Sequence, residues 1–353
     1  MSARRPGPDV VRAVAMLGVI LVNYHGYLIL RGADPGSGTV ADFFDPFNGP
    51  IATRFAATFV LVAGVGVTLM TNRARGDRDR TRTLRWRLAS RGVFLYAVGV
   101  VFDNIWPGTI LPYYGVMFVI AALIFTLRSR WVIAVGAAAA LAGWAIRWWR
   151  YEREVDGGDT SWLTRPSSTS IRGLAFDVFI NGTHPLLPWL AFLCAGIVVG
   201  RMLPLAWWRP LAVAVGFTMY TVATMIGSAT TSERASVLIS DRPYSRSVPY
   251  VMSALGTALI AFAAISWLAE RYEHTTVIDV LRRAGQLSLT IYVVHALVFN
   301  LVVDWLDWVE PGGVETALTF AAIVWIATVA AAVVWQRRYG RGPVEQLYRG
   351  LTV

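Results

Sequence analysis

The sequence predicts an all-α fold, a polytopic transmembrane helix bundle of about ten spans with both termini cytoplasmic. Three observations lead there. Of the 353 residues, 56% are hydrophobic, 15% are charged and 15 are tryptophan, far from the balance of a soluble domain. Apolar runs recur along the whole chain, with connections too short for soluble domains between them. Arginine is concentrated in a few of those connections. The chain therefore reads as a single integral-membrane domain, 1–353, multi-pass in the inner (plasma) membrane, with the lipid bilayer as its first partner.

A helix needs about 20 apolar residues to cross the hydrocarbon. Runs near that length lie at 10–30, 51–71, 92–106, 111–127, 131–149, 185–202, 210–228, 247–269, 285–303 and 314–335. The first follows the basic stretch "MSARRPGPD" and lacks a small-residue cleavage pattern, so it reads as an uncleaved helix rather than a signal peptide. The third and fourth are short and flank "DNIWPGTILPYY", which is rich in helix breakers; a partly re-entrant path is the alternative there.

Arginine placement orients the bundle. The 72–91 segment, read as a basic cytoplasmic loop, carries eight Arg, and the 336–353 cytoplasmic tail carries four. "DWLDWVEPGGVE" has four acids and no Arg, as an outer connection should. The exception surrounds the 150–176 outer loop: "RWWRYEREVDGGDTSWLTRPSSTSIR" puts five Arg outside, offset by four acids.

Net charge is +10, and every basic residue is Arg. In a membrane protein such charge belongs to cytoplasmic loops and anionic lipid, so no nucleic-acid partner is expected. Cys194 is the sole cysteine, which rules out an intramolecular disulfide and a cysteine metal cluster. The four His fall on separate segments without ligand spacing, and no metal is expected. There is no internal repeat, Walker A loop, HExxH or GxSxG.

Polar groups inside apolar spans are expensive and point to function or to structural pairing. On the first helix Asp9 and Arg12 are three apart and can pair; Asn23 lies about 20° from Arg12 around the axis and about 16 Å further along it. His25 lies about 200° from Asn23, toward the outer interface. On the ninth span, "GQLSLTIYVVHALVFN" places Ser288, Tyr292, His295 and Phe299 on one face, with His295 near mid-membrane. A buried neutral imidazole there suits a general base. Two outer connections add Asp103, Asn104, Tyr113 and Tyr114, and Asp177, Asn181 and His184.

Several of these segments resemble known proteins. "RPGPDVVRAVAMLGVILVNYHG" resembles the first helix of the YeiB-like bacterial membrane proteins and of heparan-α-glucosaminide N-acetyltransferases. "WPGTILPYYGVMFVIAAL", "HPLLPWLAFLCAGIVVGR", "LRRAGQLSLTIYVVHALV" and the tail "YGRGPVEQLYRGLT" resemble YeiB-like segments in the same order, covering most of the chain. The resemblance implies transfer of an acyl group from cytoplasmic acyl-CoA to an acceptor on the far side. The sugar O-acyltransferase branch has an Arg followed eleven positions later by a His on its first helix; here Asn23 stands at that distance from Arg12. That departure matches the glucosaminide branch. "LSLTIYVVHALV" looks like the late histidine segment of the O-acyltransferases, with His295 at its His.

The resulting expectation is an acyl-CoA-dependent membrane acyltransferase acting on an envelope glycan, lipid or other acceptor. His295 is the expected base, and Asn23 with Arg12 stabilises the oxyanion. Asp9, Asp103, Tyr113, Tyr292, Ser288 and His184 are expected to bind substrate, and Arg85, Arg87, Arg337 and Arg338 to hold the acyl-CoA phosphates. A transporter or flippase of an envelope precursor, a non-catalytic membrane partner, and a homodimer stay open as alternatives.

Overall fold

The structure, a computed structural model, describes residues 5–72, 77–164 and 170–350, and among these every regular element is helical. In chain order the helices are α1 (Gly7–Ile29), α2 (Thr39–Phe44), α3 (Arg54–Thr71), α4 (Arg78–Phe102), α5 (Leu111–Ile124) and α6 (Ser129–Val155). Then come α7 (Ser161–Thr164), α8 (Ile171–Phe176), α9 (Leu186–Met202), α10 (Trp208–Gly227) and α11 (Glu233–Ile239). The last five are α12 (Val248–Arg271), α13 (Thr276–Gln286), α14 (Ser288–Phe299), α15 (Val314–Tyr339) and α16 (Pro343–Gly350). Wider π turns, Asp177–Asn181 and Asn300–Trp305, follow α8 and α14.

Each of the ten expected spans falls on a helix, but not every helix is long and apolar enough to cross a membrane. Seven are: α1, α3, α6, α10, α12, Ser288–Trp305 and α15. An eighth would join Ile171–Asn181 to α9 across a 58° bend. The apolar α5 has 14 residues, short of the roughly 20 a span needs. The chain is a multi-helix membrane protein.

The expected 72–91 loop is largely helix. Asp77 caps α4 by accepting from the Arg80 amide at 3.0 Å, and arginine is a good helix former, so the basic stretch from Arg78 runs unbroken into the apolar half. The expected outer loop is shorter at both ends, because α6 continues to Val155 and α8 begins at Ile171; residues 165–169 lie outside the described ones. In the tail, α15 runs to Tyr339 and ends at Gly340, whose φ of 77° is the left-handed stop that glycine adopts readily.

By packing, the chain divides into two compact units, residues 5–62 with 258–350 and residues 63–257. In the first unit α1 packs on α13, α14 and α15. A Cβ on Gly285 of α13 would lie 1.8 Å from the Asp9 carbonyl oxygen, so α1 and α13 meet backbone to backbone and only glycine fits. Val10, Ala269 and Ile278, with Val14, Ile265 and Leu281 around them, close this contact. In the second unit α4 packs on α5 and α6 on α9. Gly92 and Gly115 face each other across α4 and α5: a Cβ on either would approach the other's carbonyl oxygen to 2.5 or 2.6 Å.

Candidate functional site

In the first unit, polar side chains link three helices at the start of α1. Arg12 pairs with Asp9 at 3.0 Å, and Gln286 of α13 donates to the second Asp9 oxygen at 3.0 Å. Gln336 of α15 donates to the Gln286 carbonyl oxygen and accepts from Arg283 at 3.1 Å; Arg283 reaches Asp279 at 2.7 Å. Asp9 is 1% exposed, and a buried carboxylate needs such partners. Asp9 and Arg12 thus serve the helix junction. Arg12 is not brought to Asn23, which stands about 16 Å further along α1.

The other end of α1 carries a second constellation. The Tyr24 hydroxyl donates to the His295 carbonyl at 2.8 Å, and its ring packs 4.9 Å from Phe299 and 4.7 Å from Phe320. His295, 0% exposed, packs 5.1 Å from Tyr292. The face of Tyr292, His295 and Phe299 is buried as the periodicity predicts, while Ser288 is half-buried. Glu345 of α16 satisfies the start of α14, accepting from the amides of Leu289 at 2.9 Å and Thr290 at 3.1 Å and from the Thr290 hydroxyl. That contact explains why the tail segment belongs to the pattern.

His25 departs from expectation. It is 1% exposed, and its Nδ1 lies 2.9 Å from the Phe44 carbonyl oxygen at the end of α2. A carbonyl can only accept, so Nδ1 carries the proton and Nε2 keeps the lone pair. Nε2 is buried without a hydrogen-bond partner. Residues 31–53 fold α2 back over the end of α1, which periodicity along α1 cannot foresee. Asn23 is half-buried two residues earlier.

In the second unit the structure gathers most of the polar groups expected from the outer connections. The Tyr113 hydroxyl donates to Asp177 at 3.0 Å and accepts from the Thr183 amide at 3.1 Å. Asp103 accepts from the Gly108 amide at 2.8 Å, and His184 packs 4.6 Å from Trp189 and 5.9 Å from Tyr113. Asp103, Tyr113, Asp177 and Asn181 line one cavity of about 510 Å³. Asn104 instead caps its own helix through the Val101 carbonyl at 3.1 Å, and Tyr114 is buried. The sequence reading missed Arg150, Tyr244 and Arg246, which share this cavity, and Arg147, which lines its neighbour. The signal was present in the arginine excess around the outer loop, which topology alone left unexplained.

Of the arginines expected to hold acyl-CoA, Arg85 lines an 850 Å³ groove on α4 and α5 with Arg78, Arg82 and Trp86. Arg87 is exposed and is not among the residues lining it; Arg337 and Arg338 are exposed at the end of α15. Among the described residues no group of His, Cys, Asp and Glu has the geometry to hold a metal ion.

Residues 4–232 match the family described as heparan-alpha-glucosaminide N-acetyltransferase, catalytic, and residues 201–353 match a protein family of unknown function, DUF418. The uncharacterized protein YeiB of Escherichia coli (strain K12) is 23% identical over 386 aligned positions, covering 98% of this chain and 95% of YeiB.

Proposed function

The chain belongs to the heparan-alpha-glucosaminide N-acetyltransferase catalytic family, a membrane acyltransferase-like family, and we propose that it moves an acyl group from cytoplasmic acyl-CoA to an envelope sugar, lipid or other acceptor. The acceptor stands on the outer side of the inner membrane in this reading. The observation that carries it is His25: its Nδ1–H is committed to a carbonyl, and its Nε2 lone pair is buried and unengaged, the arrangement a general base requires. This moves the proposed base from His295, whose ring is enclosed by the aromatic side chains of Tyr24 and Tyr292.

In the proposed reaction His25 Nε2 removes the proton from the acceptor hydroxyl or amine as that atom attacks the thioester carbonyl. A tetrahedral oxyanion forms, which needs hydrogen-bond donors on the side of the helix where His25 Nε2 lies. Collapse breaks the carbon–sulfur bond, and the leaving thiolate takes the proton from the His25 imidazolium. The acyl group ends on the acceptor, and free CoA leaves. Separately, in the second unit, Arg78, Arg82 and Arg85 lie at spacings of four and three on one face of α4, where forked guanidinium groups suit phosphates. Trp86 beside them offers an exposed ring to a nucleobase.

The test uses the purified full chain in nanodiscs with acyl-labelled acetyl-CoA and a membrane glycolipid extract. We expect CoA release together with label in an extractable acceptor. Absence of both, with movement of the acceptor between leaflets, would replace this reading with the transport alternative.

A further inference from the structure

The second unit gathers three arginines around one cavity. Arg147, Arg150 and Arg246 line a cavity of about 360 Å³, and among the described residues none of the three forms an ion pair with a carboxylate. Arg246 donates to the carbonyls of Ile180 at 2.5 Å, Asn181 at 2.8 Å and Gly182 at 2.7 Å; Arg150 donates to Asn181 Oδ1 at 3.1 Å. Arg147 makes only a long 3.4 Å contact to the Tyr244 carbonyl, and its Nε is buried without a partner. Glu154 is the one acid in this lining; Asp103 and Asp177 of the adjoining cavity face the shared Arg150 and Arg246, which leaves Arg147 as the arginine found in this lobe alone.

Burial, and then the nearby Arg147 and Arg150, push the pKa of Arg246 down to about 10, which still leaves it charged at neutral pH. Tyr244 and Arg246 both adopt left-handed backbone, with φ of 60° and 55°, an unfavourable conformation for such residues that the fold maintains here.

The neighbouring 510 Å³ cavity shares Arg150, Tyr244 and Arg246 and has a different character. Asp103 and Asp177 balance its two arginines, and Tyr113 and Asn181 complete the polar wall. Each carboxylate has one oxygen engaged, by the Gly108 amide and the Tyr113 hydroxyl respectively, leaving its second oxygen to accept from a ligand hydroxyl. One lobe therefore suits a phosphoryl group, and the other a ring bearing several hydroxyls.

We propose that these two adjoining cavities form a binding site for a glycosyl or polyol phosphate, with the phosphoryl group among Arg147, Arg150 and Arg246 and the hydroxyls against Asp103 and Asp177. The lobe with Arg147 is the more positive of the two, and guanidinium forks match the oxygens of a phosphoryl group. The ligand is either a free sugar phosphate or the headgroup of a membrane phospholipid. This inference does not rest on acyl transfer.

The experiment measures binding to the purified full chain with no acyl donor present, so its failure would leave the acyl-transfer reading untouched. The probes are glucose 1-phosphate, glucose and inorganic phosphate by titration calorimetry, and phosphatidylinositol in phosphatidylcholine nanodiscs by thermal stabilisation. We expect glucose 1-phosphate to bind at least about tenfold more tightly than glucose, or phosphatidylinositol to stabilise the chain where phosphatidylcholine alone does not. The first result assigns the free compound and the second the lipid headgroup. Arg147→Gln should weaken the responding probe about tenfold, and Asp103→Asn should weaken it while leaving inorganic phosphate unaffected. Thermal melting of each variant checks that it folds. The proposal is overturned if neither probe acts on wild type, if glucose binds as tightly as glucose 1-phosphate while phosphatidylinositol gives no stabilisation, or if folded variants bind as wild type does.

Discussion

The Tyr24 hydroxyl donates to the main-chain carbonyl of His295 at 2.8 Å, although 271 residues separate them in the chain. Both groups are buried, so the bond ties the end of α1 to the middle of α14 inside the first unit. Tyr24→Phe leaves the ring packing in place and removes one buried hydrogen bond. It should lower stability by about 0.5–1.5 kcal/mol, whereas Tyr24→Ala, which also empties an aromatic site, should lower it by about 3–5 kcal/mol. Denaturant titration in detergent separates the two; a Tyr24→Phe variant as stable as wild type would show that the hydroxyl contributes nothing.

The proposed function makes His25 the reactive imidazole and His295 a packed one. At equal expression His25→Ala should lower acyl transfer by about 10²- to 10⁴-fold, the range a general base contributes. His295→Phe, which keeps a ring between Tyr24 and Tyr292, should retain at least about a tenth of the rate. Side-by-side transfer rates decide it, and a dead His295→Phe beside an active His25→Ala would return the base to α14.

Asp279 is held below the usual carboxylate range by hydrogen bonds from Arg283 and then Arg282. A depressed carboxylate pKa stabilises the fold above the unfolded value, near pH 4, and the contribution is lost as pH falls through the folded one. Asp279→Asn should therefore melt at a lower temperature than wild type at neutral pH and approach it under more acidic conditions. Because the pair is partly exposed, the difference should also shrink in high salt. Parallel melting curves between neutral and acidic pH measure it, and a gap that widens on acidification would contradict the sign.

Arginine bias predicts that a reporter fused after Arg80 faces the cytoplasm and one fused after Trp308 faces the exterior. Paired fusions to a cytoplasm-active and an exterior-active reporter test this directly. Both sites reporting the same side would remove the proposed orientation.

The helical class and the place of every long apolar segment were legible in the sequence, because each span is a local property: about 20 apolar residues must lie in one helix to satisfy their backbone in lipid. The buried face of Tyr292, His295 and Phe299 was legible for the same reason, since spacings of three and four repeat along one helix. The Asp9 and Arg12 pair was readable from its spacing, but its continuation to Gln286 and Gln336 was not, because those partners come from α13 and α15. The role given to His25 also depended on contacts that periodicity does not encode: α2, folded back over α1, buries the ring and supplies the Phe44 carbonyl that sets its tautomer. The arginines of the second unit show the same division. Their excess in an outer segment was visible as composition, but the convergence of Arg147 and Arg150 with Arg246, about a hundred positions away, is a distance in space that only tertiary packing decides.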